Sequence, residues 1–435
     1  MSTASMSTAS SRGPGAAEAL EWFEVRRPTP QSVYDLADLE AALGPVVRER
    51  VPAGARAGVA VGSRGISRLA EVVEVVVRTL RSAGAQPVLV PAMGSHGGAT
   101  PEGQAAVLEH LGVSPARLGV PLDASMEVVE VGRLSCGKPF YLSKSALACD
   151  VVVPVNRVKP HTDFRAPVES GLTKMLTIGL GKELGASSLH SAGFSSFAQV
   201  LPEAMAMASQ ALEVPFGVAL LEDAWHRLRR AEVVPGERIL ERDEQLLAEA
   251  WQHFGALPFD EVDLLVLREM GKTISGAGMD PNVTGRFPGS PLPARTSVAR
   301  LVALDLTDGS GGNAIGVGMA DVIPQRLRDK VDWAATYANA LASKSLAGAR
   351  LPMVVGTDAE AIEVALSSLV GVEQKAPAVV AMASTLEVGH LAVSGPLLGQ
   401  AKAAGYEQLG PARRAEFSPR GSLVRIGSLE FFPSP

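Results

Sequence analysis

AGVAVGSRGISRLAEVVEVVVRTLRSAGAQPVLVPAMG, residues 57–94, reads as strand, helix, strand. Residues 57–63 are a short apolar run. Residues 67–84 carry apolar side chains at helical spacing and stop on Gly84, and 85–94 return to a short apolar run. That order is the grammar of a largely parallel sheet, in which ligands gather at loops following the carboxyl ends of strands. The loop that follows, GSHGGATPEGQ, places His96 there. Thr100-Pro101 then reads as a helix N-cap followed by proline at the first helical position. CDVVVPVNRV (149–158) is a further buried strand and runs into HTDFRAPVESGLTKMLTIGLGKELGASSLH (161–190). The grammar resumes after a charged helical connector (235–254). Strand 261–270 is followed by a long Gly/Pro loop, a helix over about 327–347, strand LPMVVGT, helix DAEAIEVALSSL and strand APAVVAMAS. The fold class expected is therefore α/β. It has two α/β domains, 21–258 and 259–435, with largely parallel sheets and the active site in the cleft between them. The last residues are able to return to the first domain.

Bulk properties narrow the function. At 435 residues the chain exceeds one ordinary core. Lys and Arg total 40 against 46 Asp and Glu, so the net charge of −6 gives no basic face for nucleic acid. The two cysteines, Cys136 and Cys149, form no metal or disulfide pattern and are expected as buried thiols. No apolar run reaches the roughly eighteen residues of a membrane span. The Ser/Ala/Thr-rich start has no apolar core of a signal peptide, so residues 1–20 are expected as a disordered lead and the location as cytoplasmic. GLGKELG (179–185) misses the dinucleotide fingerprint by one residue, and MGKT (270–273) has Val266 where a P-loop needs its first glycine. Both read as ordinary turns.

Four residues stand out. His96 and His161 sit in loops at strand ends, where an imidazole, with its pKa near working pH, can act as general acid or base. A capping or surface histidine is the competing reading of each. Lys174 is flanked by apolar residues and glycine, with no acidic residue nearer in sequence than Glu169. Desolvation there favours a neutral, nucleophilic amine, against the alternative of a snorkelling side chain. His190 can ligate a metal through neutral imidazole, although one histidine does not define a metal site. Arg157, Lys159 and Arg165 concentrate positive charge that suits a carboxylate or phosphate.

A GSH loop, a Pro-His at a strand end, a Gly-rich run closing on lysine and a histidine sixteen residues later together resemble the lactate racemase family, which uses a nickel-pincer nucleotide. The resemblance covers roughly residues 40–420. It implies a 2-hydroxyacid racemase or epimerase, an isomerase, whose pyridinium mononucleotide is covalently attached to Lys174 and whose nickel is bound by His190. His96 and His161 become the paired acid/base groups, and the Ser170 and Gly171 backbone receives the cofactor phosphate. The chain departs from the family where the substrate is gripped. Gly62-Ser63-Arg64-Gly65-Ile66 replaces an acidic-x-Thr-Arg-Pro motif, and the second-domain Gln and Lys positions fall on Gly285 and Pro288. Arg64, Arg165 and Arg286 are left as substrate cations. Three guanidinium groups point to a 2-hydroxy acid larger or more polar than lactate. Expected partners are that acid and the cofactor-building enzymes, with no nucleic acid and no membrane, and an oligomer is compatible. The alternatives are a non-racemising redox use of the same cofactor and a cofactor-free protein that binds a small acid.

Overall fold

A computed structural model describes residues 15–31, 33–63, 65–289, 292–371 and 376–433. The chain divides into two compact units, one of residues 30–254 and one that joins the residues up to Thr29 to Gly255 and beyond. The first strand, β1 (Glu21–Arg26), belongs to the second of these and is taken up with it.

The unit of residues 30–254 contains β2 (Arg56–Val61), β3 (Gln86–Pro91), the hairpin β4 (Val128–Arg133) and β5 (Pro139–Ser143), then β6 (Val151–Arg157), β7 (Phe216–Glu222) and β8 (Leu228–Pro235). Its main sheet runs β3-β2-β6-β7-β8, parallel except for the last pair. The strands are apolar on both faces because helices cover both. Val59, Val61, Val153 and Val155 pack with helices Leu36–Arg50 and Leu69–Ser82. Ala60, Val90 and Val152 pack with helices Lys182–His190, Phe197–Ala211 and Ile239–His253. In Leu69–Ser82 the buried stripe includes Val72, Val73, Val76 and Leu80. Each such side chain contributes roughly 1.5–3 kcal/mol by leaving water. Thr100 caps helix Pro101–His110 by accepting from the Gly103 N–H at 3.0 Å, as the sequence signal requires.

The second unit is a mixed sheet. β9 (Glu261–Met270), β10 (Ser297–Leu306), β11 (Val322–Pro324), β12 (Met353–Val355) and β13 (Val379–Met382) pair in parallel in the order β12-β11-β10-β9-β13. β14 (His390–Ser394) adds antiparallel to β13, and β1 adds antiparallel to β14. Residues 21–29 therefore group with the C-terminal half, whereas the sequence reading placed them with the N-terminal one. Strand pairing is non-local, and what anchors β1 is distant in sequence. Trp22 and Val25 are buried, and the Glu24 carboxylate accepts from the Ser428 N–H and bonds His390 Nε2.

Three further expectations change. The helix over 327–347 is two helices, Gln325–Lys330 and Trp333–Ala342, because Asp332 caps the second by accepting from the Ala335 N–H. The N-terminal lead is shorter than 1–20. Ala16–Ala19 form a helical turn with Ala17 buried, while residues 1–14 lie outside the described residues. Cys136 is exposed and Cys149 half-buried, both free, so neither is a fully buried thiol.

Candidate active site

In the sheet of residues 30–254 the chain proceeds from β2 to β3 on one side, then crosses to β6 on the other. This makes a switch point at β2/β6, where loops diverge from the carboxyl ends of neighbouring strands. Three loops start there: 62–66 after β2, 92–100 after β3, and 158–171 after β6. The segment 171–190 packs against all three. Gly171 O accepts from Asn156 Nδ2 at 2.9 Å, and a Cβ at Gly62 would lie 3.4 Å from Met175 Sδ. The Gly94 N–H donates to Gly179 O at 3.1 Å.

His96 is exposed on the second loop, and its Nδ1 is bonded to Ser63 Oγ. The loop is tight. Gly97 has φ of 66°, and a Cβ there would stand 2.5 Å from the backbone carbon of Gly103. Only glycine meets both conditions.

The third loop is pinched at its base by Lys159 and Ser170, which exchange backbone hydrogen bonds of 3.0 and 3.3 Å. Inside it the buried Glu169 carboxylate accepts the His161 N–H at 2.6 Å. Burial pushes the Glu169 carboxyl up, against the pull of the His161 N–H, Arg165 and Lys174. In space, then, Lys174 has an acidic neighbour. The His161 Nδ1 accepts the Asp163 N–H at 3.1 Å, which orients the ring.

Lys174 ends a short helical turn, Leu172–Lys174, and the chain continues as a π-helical turn, Met175–Gly179. Such turns recur at functional sites. Three phenylalanines collect the site. Phe164, Phe194 and Phe197 pack with ring centroids 4.9–5.8 Å apart. His161 lies 4.4 Å from Phe164, Lys174 Nζ lies 6.0 Å from the same ring, and His190 lies 5.7 Å from Phe194. His161, Lys174 and His190 are thus brought together. Burial, helped by the Lys174 charge, pushes the His190 imidazole down to about 4. His190 therefore presents a neutral ring at any ordinary pH.

Other expected residues are placed differently. The Ser170 N–H is committed to Lys159 O, and the Asp243 carboxylate lies where a Gly171 Cβ would come within 2.7 Å of it. Asp243 also takes the Leu172 and Thr173 N–H groups at 3.2 and 2.7 Å. The Ser170, Leu172 and Thr173 N–H groups are thus engaged within the protein, and a carboxylate faces Gly171. Arg286 donates to Met319 O, Val298 O and Ala299 O and pairs with Asp321 at 2.7 Å, so its fork is a brace within its own unit. Arg165 donates to His161 O and Phe164 O and lies 5.0 Å over Trp251. Arg157 pairs with Glu222. Burial alone would raise that carboxyl, yet Arg157, His226 and the Ser67 N–H hold it down to about 2. Arg64 lies outside the described residues. Of the three guanidinium groups expected at the substrate, Arg286 and, through Nη1, Arg165 thus bond protein carbonyl groups. Sequence reasoning missed Ser63, Glu169, Asp243, Lys182 and the phenylalanine cluster. Only the Phe spacing around His190 carried any local signal.

Residues 53–198 match the lactate racemase N-terminal domain, a span that contains Ser63, His96, His161, Lys174 and His190. No curated protein matches the chain. A Thermotoga maritima protein solved as a structural-genomics target overlays at a TM-score of 0.48 and 13% identity, covering 64% of this chain and 72% of its own. The lactate racemase apoprotein of Thermoanaerobacterium thermosaccharolyticum overlays at 0.44 and 14% identity, covering 80% of this chain and 95% of its own. Over residues 53–198, about a third of its length, the chain is therefore similar to the N-terminal domain of lactate racemases.

Proposed function

We propose that the protein is an isomerase that inverts C2 of a 2-hydroxy acid, working with a nickel-pincer nucleotide joined to Lys174 and bound at nickel by His190. The observation that carries this reading is the gathering of Lys174, His190 and His161 around one phenylalanine cluster, with His190 held neutral. Among the described residues, no group of three or more His, Cys, Asp or Glu could hold a metal ion. The residues present fit a metal carried mainly by a tethered organic group, since such a metal needs one neutral protein donor beside the attachment amine. His190 and Lys174 are that pair.

When bound, the group supplies an acceptor for the hydride on C2. The chain's own residues do the rest. The Asp163 N–H and Ser63 Oγ orient the His161 and His96 rings at Nδ1, and these two imidazoles handle the substrate hydroxyl proton. Two such groups allow the proton to leave from one face of C2 and return on the other. A correctly placed imidazole contributes roughly a hundredfold or more to the rate. Phe164, Phe194 and Phe197 exclude water from the same space, which strengthens every charge interaction within it. Arg64, which follows Ser63 in sequence, is the cation proposed for the substrate carboxylate.

The test is a panel of enantiopure 2-hydroxy acids given to protein produced together with cofactor-building enzymes. Chiral analysis is expected to show conversion to the other enantiomer. Accumulation of keto acid without that enantiomer would replace the reading with net redox chemistry.

A further inference from the structure

Lys182 sits at the start of the helix that ends on His190, and it is 0% exposed. Its φ of 53° is unusual for a residue with a side chain. The ammonium donates to Pro91 O at 2.7 Å and to Gln104 Oε1 at 3.1 Å. Gln104, also fully buried, turns its Nε2 outward to Gly94 O at 2.8 Å and His96 O at 3.3 Å. The chain of bonds thus runs from the His190 helix, through two buried side chains, to the backbone of His96. Burial pushes the Lys182 ammonium down to about 8, only weakly opposed by Asp123. A buried cation with neutral acceptors is costly, and an apolar side chain of similar length would fill the same volume more favourably. The bonds themselves are what such a lysine adds.

We infer that Lys182 and Gln104 are positioning residues, which lock the His96 loop to the helix bearing His190 and so hold the proton-handling imidazole and the metal donor in one frame. The catalytic consequence rests on the function proposed above, while the locking does not.

Lys182→Met removes both lysine bonds at little change in volume. Gln104→Glu keeps an acceptor for Lys182 but loses the Nε2 donor to Gly94 O and His96 O. Amide hydrogen exchange on the apoprotein reads the effect at the Gly94, His96 and Ala99 N–H groups, which bond Gly179 O, Met93 O and Ser95 O. In both variants these amides are expected to exchange about tenfold faster or more, with the amides of β2 and β6 within about twofold of wild type. Unchanged exchange at 94–99, or an equal rise across residues 30–254, overturns the inference. In loaded enzyme the variants are expected to keep their nickel and lose kcat by about tenfold with KM little changed. An unchanged kcat removes the catalytic half. A loaded wild-type protein that inverts no 2-hydroxy acid overturns the functional reading instead, and the exchange result still decides the positioning.

Discussion

His190 illustrates how its surroundings keep an imidazole neutral, the form that the proposed role as metal donor requires. Half-buried beside Lys174 and two phenylalanine rings, its imidazole is pushed down to about 4 from the ordinary 6.5. Because the folded value lies below the unfolded one, the unfolded chain binds the extra proton between them, and stability is lost as pH falls through that window. NMR titration of the apoprotein is expected to show His190 unprotonated at pH 5.5, and a midpoint above 6 would contradict the placement. The histidines should also separate by role. His190→Ala is expected to lose nickel, whereas His161→Ala keeps nickel and loses turnover by about a hundredfold or more, measured by metal content and initial rate. Both residues stood out in sequence by their spacing and small neighbours, and the structure brings them to one phenylalanine cluster. The arginines were not legible. Arg165 and Arg286 look like free cations in a string of letters, and only the folded chain shows Arg165 Nη1 donating to two carbonyl groups and the Arg286 fork committed to carbonyl groups and Asp321.

At the scale of elements, the turn that carries Lys174 is held from below. Asp243, on helix Ile239–His253, accepts the Leu172 and Thr173 N–H groups and leaves Gly171 no room for a side chain. Burial pushes the Asp243 carboxyl up to about 6, with the two N–H donors opposing. Gly171→Ala would place a methyl 2.7 Å from that carboxylate. It is expected to cost about 1–3 kcal/mol in denaturant unfolding, and no measurable loss would show that the turn is not clamped there. The sequence revealed the strand-helix-strand run of 56–91 because its periodicity is local. It did not reveal the clamp, since a charged helix read as a connector gives no sign that Asp243 faces inward. The same limit hid the pairing of β1 with β14, which joins residues more than 360 positions apart.

For the whole molecule, every described residue proposed to act on cofactor or proton lies in one unit, residues 30–254, and the family match at 53–198 lies inside it. The unit of residues 255 onward contributes a mixed sheet, and its one expected substrate residue, Arg286, bonds the start of β10 and the turn at Met319. The central claim is therefore a claim about Lys174. Peptide mapping by mass spectrometry, with nickel analysis on the same sample, tests it on protein produced alongside cofactor-building enzymes. The account predicts a covalent adduct on Lys174 and about one nickel per chain, with nickel lost in Lys174→Ala; such a ligand set has no other anchor. An active, nickel-containing sample in which Lys174 is unmodified would contradict it.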